Sequence, residues 1–159
     1  MMRPGFFSIT QRSVQIPVGP APMMRTVSSS VISEIFAAAI TEKKGVIIFS
    51  PLAQGLLTGR YLNGISKDSR VKTDGRFLKE SSITDEVLAK IRKLNKIAEN
   101  RGQSLAQMAL SWVYSHEGVT SVLIGTSKPE QITENLKMTE NTHFTKEELE
   151  EIDYIALNN

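Results

Sequence analysis

Two short runs carry the residue types best suited to gripping an anion. The first, Ser50-Pro-Leu-Ala-Gln-Gly-Leu-Leu-Thr-Gly59, contains glycines that let the backbone approach a ligand closely. The second, Gly125-Thr-Ser-Lys128, sets small residues and one cation at the start of a predicted helix. Unpaired N–H groups and the positive end of the helix dipole favour phosphate there, and Lys128 adds a full charge. A competing reading stays open. Ser127 and Glu130 have capping-box spacing, which would satisfy the same N–H groups internally and leave Lys128 solvated. Neither run matches the P-loop or the Gly-x-Gly-x-x-Gly fingerprint. Other chemistry is scarce. The chain has no cysteine, which excludes thiol nucleophiles, disulfides and cysteine-ligated zinc. Its two imidazoles, His116 and His143, are expected to be exposed bystanders.

The elements that would position these runs follow from periodicity. Ile32, Ile35, Phe36, Ala39 and Ile40 fall at helical spacing, with Gly45 where a C-terminal cap would stand. Val46-Ile-Ile-Phe-Ser50 is short, apolar and β-branched, which predicts a strand buried on both faces in a parallel sheet. Residues 52–80 offer no convincing element and read as a lid or binding loop, or else as disordered. Val87, Leu88, Ile91, Leu94 and Ala98 mark a helix closed by Gly102. Leu105, Met108, Ala109, Trp112 and Val113 mark the next, opened by a Ser104–Gln107 capping box, with Trp112 as plain core. Val119-Thr-Ser-Val-Leu-Ile-Gly125 is a second buried-strand candidate. A helix with Ile132 and Leu136 one turn apart comes next. The last helix, through Leu149, Ile152 and Ile155, is capped by Thr145–Glu148. Strands alternating with helices indicate an α/β fold with parallel strands, whose ligands gather at the carboxyl ends of the strands.

Bulk properties narrow the function classes. With 159 residues, 40% apolar and 23% charged, the chain is expected to be one soluble globular domain. A net charge of +2 is too small to argue for nucleic acid. No apolar run approaches the roughly 20 residues that span a bilayer, so no membrane partner is expected. The cytoplasm is the default compartment. Residues 1–30 differ from the rest: Arg3, Arg12 and Arg25 all precede the first carboxylate, Glu34. That composition suits a transit peptide, but Pro4, Pro17, Pro20 and Pro22 break any basic amphipathic helix. The segment is expected to be a poorly ordered or non-native leader, with Phe6–Val18 as its one candidate strand.

Three motifs then resemble one family. Phe49-Ser-Pro-Leu-Ala-Gln-Gly-Leu-Leu-Thr-Gly-Arg-Tyr61 resembles the segment after the seventh strand of aldo-keto reductases. Ser121-Val-Leu-Ile-Gly-Thr-Ser-Lys-Pro-Glu-Gln-Ile-Thr-Glu-Asn135 resembles the eighth strand and the start of its helix. Arg101-Gly-Gln-Ser-Leu-Ala-Gln-Met-Ala-Leu-Ser-Trp112 resembles the helix between them. The likeness covers residues 31–159 and is strongest to the subgroup of bacterial glyceraldehyde-phosphate reductases and potassium-channel β subunits.

The resemblance implies a partial TIM (β/α)8 barrel: the last two βα units and the C-terminal helix, with the N-terminal strands missing. It implies NADP(H) as cofactor and a small-molecule carbonyl as substrate, reduced to the alcohol. By the same resemblance Ser50, Leu52, Gln54 and Arg60 line the pyrophosphate and the strap over it. Gly125, Thr126, Ser127 and Lys128 bind the adenosine 2′-phosphate region, with Gln131 and Asn135 near the adenine. Glu134 holds the ribose or orients its neighbours. Arg60 stands where the family often has Lys, keeping charge but changing hydrogen-bond geometry. The family's Tyr, Lys, Asp and His tetrad belongs to earlier strands, and Tyr61, Tyr114 and Tyr154 sit in other segments. No catalytic residue is therefore assigned, and the chain alone is expected to be inactive. The alternatives are a nucleotide-sensing module of the channel-β-subunit type, or a truncated or misread product without activity. Open sheet edges predict self-association.

Overall fold

The computed structural model describes residues 36–65, 78 and 80–157. The expectations for residues 1–30, for a strand at Phe6–Val18 and for Ile32 and Ile35 lie outside the described residues. So do residues 66–77 and 79 of the long loop.

Residues 36–41 are helical and lead into the first strand. The turn that ends them closes on Lys43, not on Gly45. Lys43 has φ 52°, its N–H bonds the Ile40 carbonyl at 3.1 Å, and the Lys44 N–H bonds the Ala39 carbonyl at 2.8 Å. This paired geometry is a Schellman closure with a lysine in the left-handed position. Gly45 serves a different need. A Cβ there would run into the Thr120 hydroxyl and sit 3.2 Å from the Thr120 Cβ and Cγ2.

Strand β1 (Val46–Phe49) pairs in parallel with β2 (Val119–Leu123). Val46 faces Val119 and Ile47 faces Ser121, so Thr120 is an extra residue in β2; Ile48–Val122 and Phe49–Leu123 follow in step. The extra residue is held by its own side chain, whose hydroxyl donates to the Val46 carbonyl at 3.1 Å. The bulge also explains why the apolar residues of β2 do not alternate.

Four helices complete the described fold. Helix α1 (Asp85–Asn100) starts at Thr84, whose side chain accepts from the Val87 N–H, and ends at Gly102 with φ 68°. Helix α2 (Leu105–Tyr114) has the expected capping box, with Gln107 N–H to Ser104 Oγ and Ser104 N–H to Gln107 Oε1. Helix α3 (Pro129–Leu136) leads into a 3₁₀ turn at Lys137–Glu140. Helix α4 (Lys146–Leu157) opens on the Thr145–Glu148 box, also as expected. The core gathers Ile91, Leu94 and Ala98 from α1 and Leu105, Met108, Trp112 and Val113 from α2, with Ile152 and Ile155 from α4. Helix α2 is central to the packing, touching β2, α1, α3, the Lys137–Glu140 turn and a 3₁₀ segment at Ala53–Thr58.

Two expectations are corrected. The strands are not buried on both faces. Val46, Ile48, Val119 and Val122 pack against the core, while Ile47, Phe49 and Leu123 are 62%, 70% and 55% exposed. Among the described residues one helical layer covers one face of the sheet, so alternate residues stay bare. Next, the described part of the 52–80 loop is structured. A 3₁₀ segment (Ala53–Thr58) drives Ala53, Leu56 and Leu57 into the core beside Tyr61, and a second lies at Glu80–Ser82. The helix expected through Ile132 and Leu136 is present as α3; both residues are exposed, and α3 buries no residue.

Candidate functional site

Parallel pairing puts the carboxyl ends of β1 and β2 at one edge, because Phe49 is the register partner of Leu123. The runs starting at Ser50 and Gly125 therefore leave neighbouring strands on the same side. Bringing together two segments about 75 residues apart follows from the right-handed crossover expected of parallel strands.

The loop after β1 has an unusual backbone. Ser50, Ala53, Gln54 and Gly55 all have positive φ, at 54°, 49°, 58° and 94°. The first three are L-residues in a region costing about 1–2 kcal/mol each. Burial of Ala53, Leu56 and Leu57 holds the conformation, with Gly55 N–H to the Leu52 carbonyl at 2.9 Å and Thr58 Oγ to the Gly55 carbonyl at 2.6 Å. Gln54 Nε2 reaches Ser50 Oγ at 3.3 Å, so these two predicted ligands already share a contact. Leu52 is half-buried, and Arg60 is exposed just beyond Gly59.

The loop after β2 runs through exposed Gly125, half-buried Thr126, and exposed Ser127 and Lys128. The N-cap of α3 is Lys128, with Pro129 at the first helical position, and no side chain caps it. The Ser127–Glu130 capping box is thus not formed. Its spacing is offset by one residue from the true helix start, because Pro129 fits the first turn and lacks an N–H. Gln131 intervenes instead: its Oε1 accepts from the Ser127 N–H at 3.0 Å and lies 3.4 Å from the Ser127 hydroxyl. Glu134 and Asn135 sit further along α3, about 9 Å or more from Lys128 at the helical rise. The Glu134 carboxylate pairs with Lys137 at 2.7 Å, and that hydrogen bond raises the lysine's pKa. The structure therefore brings Ser50 to Gln54 and Gly125 to Gln131 to one edge and leaves Glu134 on the flank.

Sequence reasoning missed what steadies this edge. Gln103, Gln107 and Ser111 are buried polar residues spaced four apart. Gln107 Nε2 donates to the Glu134 carbonyl at 2.8 Å, Ser111 Oγ to the Met138 carbonyl at 2.8 Å, and Gln103 Nε2 to the Asn141 carbonyl at 3.1 Å. Arg101 was also missed. Its guanidinium meets Glu148 at 2.5 Å, the carbonyls of Asn141 and His143 at 3.2 and 2.9 Å, and the Phe144 ring at 3.7 Å. The i, i+4 spacing of polar residues on an otherwise apolar helix was the available signal. His116 is not an exposed bystander. It is half-buried, with Nδ1 2.6 Å from the Trp112 carbonyl and its ring 4.9 Å from the Trp112 ring. Desolvation lowers its pKa to about 4, against a smaller opposing effect of that carbonyl. His143 is exposed, as expected.

Comparison with known proteins agrees with the three motifs. The chain is 53% identical over 112 residues to L-glyceraldehyde 3-phosphate reductase of Escherichia coli O157:H7, covering 69% of this chain and 32% of that protein. It is 40% identical over 115 residues to a putative voltage-gated potassium channel subunit beta of Schizosaccharomyces pombe, covering 70% of this chain and 33% of that protein. A probable voltage-gated potassium channel subunit beta of Oryza sativa subsp. japonica is 41% identical over 107 residues, which are 66% of this chain and 33% of that protein. The chain thus spans about a third of the length of these curated relatives. The model of the aldo/keto reductase family matches residues 14–157, so the match begins inside the segment 1–30. On that match, which covers most of its length, the chain belongs to the aldo/keto reductase family.

Proposed function

We propose that this chain holds NADP(H) in an aldehyde or ketone reductase and supplies the grip on the phosphates, not the proton donor. The observation that carries the reading is the meeting of the two anion-permissive loops at the carboxyl ends of adjacent parallel strands. The cofactor fits what is there. The N-terminus of α3 has no capping side chain, and Lys128 is exposed beside it. Lys128 and the neighbouring backbone N–H groups would hold the 2′-phosphate, with Thr126 and Ser127 beside it. Ser50, Leu52, Gln54 and Arg60 would line the pyrophosphate. Gln131 and Asn135 would lie toward the adenine, and Glu134 would act from the flank. When bound, the cofactor supplies hydride to a carbonyl carbon. This chain's residues bind and orient it. Tyr61, Tyr114 and Tyr154 do not lie in the earlier strands that carry the family's tetrad, so no residue here is assigned to protonate the product oxygen. The expected setting is the cytoplasm.

The reductase reading is favoured over a channel-subunit role by the higher identity to the reductase, 53% against 40%. The test is fluorescence titration of the purified chain with NADPH and NADH, repeated on Lys128→Ala. NADPH should bind more tightly than NADH, and the variant should lose most of that preference. Equal behaviour of parent and variant toward both nucleotides would refute the assignment of Lys128. Aldehyde reduction by the chain alone, free of host reductases, would refute the absence of a proton donor.

A further inference from the structure

Helix α3 presents the proposed phosphate loop, yet it buries none of its residues, and its apolar Ile132 and Leu136 face solvent. Among the described residues, apolar packing therefore does not fix where the helix lies. What grips it is polar. A helix leaves its last carbonyls without intrahelical partners, and here buried side chains of α2 take them up. Gln107 donates to the Glu134 carbonyl in the last turn of α3, and Ser111 to the Met138 carbonyl in the 3₁₀ turn that follows. Gln103 donates both to Ser111 Oγ at 3.0 Å and to the Asn141 carbonyl, tying the set together. Ser111 is fully buried, and both glutamines are 8% exposed, so water does not compete freely for these bonds.

We infer that Gln107 and Ser111 are positioning residues: they set the placement of α3 on α2 and, through it, the aim of Lys128 and its N–H groups at the cofactor phosphate. The inference rests on the proposed function for its ligand, but not for its mechanical half. Gln107 has two separable tasks. Its Oε1 caps α2 by accepting from the Ser104 N–H at 2.9 Å, while its Nε2 holds α3. A carboxylate can do the first and not the second. Gln107→Glu therefore keeps the capping box and breaks the bridge. Ser104→Ala does the converse, removing the hydroxyl that caps α2 while leaving the Nε2 donor in place.

The experiment is hydrogen exchange on the full chain at pH 8, with NADPH and NADH titrations of the same samples. In Gln107→Glu the amides of 131–136 should exchange about 3- to 10-fold faster, as for one lost hydrogen bond, with those of 108–114 unchanged. Ser111→Ala, a smaller change in volume, should act in the same direction. Ser104→Ala should loosen the start of α2 and leave α3 as it was. On the ligand side, the bridge variants should lose affinity for both nucleotides, because Gln131 and Asn135 of α3 would lie toward the shared adenine. They should lose more for NADPH, whose extra phosphate also depends on the aim of Lys128. Unchanged exchange in α3 in both bridge variants overturns the inference. Faster exchange with an equal loss for both nucleotides overturns the positioning role and leaves a merely structural one. If the parent binds neither nucleotide, the proposed function fails, and the exchange data still decide whether the bridges hold α3.

Discussion

Arg101→Ala should be the most damaging substitution outside the apolar core. The Arg101 side chain is 3% exposed and spans 40 to 47 positions of sequence to reach Asn141, His143 and Glu148. Removing one member of a buried ion pair costs about 3–5 kcal/mol, because the survivor is left desolvated. Glu148 is 25% exposed and recovers some water, which argues for the lower end of that range. The Asn141 and His143 carbonyls lose a donor, and Phe144 loses the guanidinium stacked on it. A loss of about 3 kcal/mol is expected, against a total of about 5–15 for an ordinary domain. With a urea dependence of about 1–3 kcal/mol per molar, the midpoint should fall by roughly 1–3 M. Arg101→Lys keeps the charge but not the fork that serves several oxygens at once, so it should fall between parent and alanine. Urea unfolding followed by the fluorescence of Trp112 reads all three proteins. A drop below about 1 kcal/mol for the alanine variant, or a lysine variant equal to the parent, would show that the cluster is decoration on a fold held elsewhere.

The other predictions concern pH, sterics and the bare sheet face. The folded pKa of His116, about 4, lies below its ordinary value of 6.5, so its neutral form is favoured by folding. Its contribution is fully present above pH 6.5 and is lost as pH falls toward 4, by about 3 kcal/mol at most. His116→Phe should flatten that part of the stability profile, and an unchanged slope would contradict the burial. Gly45→Ala should destabilise by about 1–3 kcal/mol by overpacking against Thr120. Thr120→Ala should recover part of that loss in the double variant, and simple additivity in denaturation would count against the contact. Among the described residues, Ile47, Phe49 and Leu123 form an exposed apolar strip on a two-stranded sheet, so the chain should associate in sedimentation experiments, and Phe49→Lys should reduce this. A monomer in both cases refutes that expectation.

Much of the local structure was legible because its code is short-range. The Ser104–Gln107 and Thr145–Glu148 boxes and the Gly102 stop each need only residues three or four apart, and all three formed as expected. The capping box expected at Ser127–Glu130 failed because the same spacing code cannot say which residue begins the helix when a proline stands inside it. The strand run at Val46 correctly marked a strand in a parallel pair but overstated its burial, since what covers the second face is a property of the rest of the fold. Arg101 and His116 were invisible for a different reason, and the i, i+4 spacing of Gln107 and Ser111 marked two inward polar residues without showing what they bond. Their partners lie 27 to 47 residues away or are backbone atoms, and side-chain patterning carries no record of a carbonyl. The two loops of the candidate site were visible as motifs, and their adjacency became concrete only with the parallel register of Phe49 and Leu123.

The left-handed residues also say where this protein has room for improvement by engineering. Among the described residues, four non-glycine residues have positive φ: Lys43, Ser50, Ala53 and Gln54. Lys43 closes a helix on the opposite side of β1 from the loops, where glycine would relieve a cost of about 1 kcal/mol with no ligand nearby to notice. The other three crowd into five residues at the mouth of β1, and removing their side chains would erase the Ser50–Gln54 contact and the shape it keeps. Stabilising substitutions of the same chemical kind thus divide by location. One set is free to be taken. The other would trade a preformed loop for a more relaxed one, exchanging readiness to bind for resistance to unfolding.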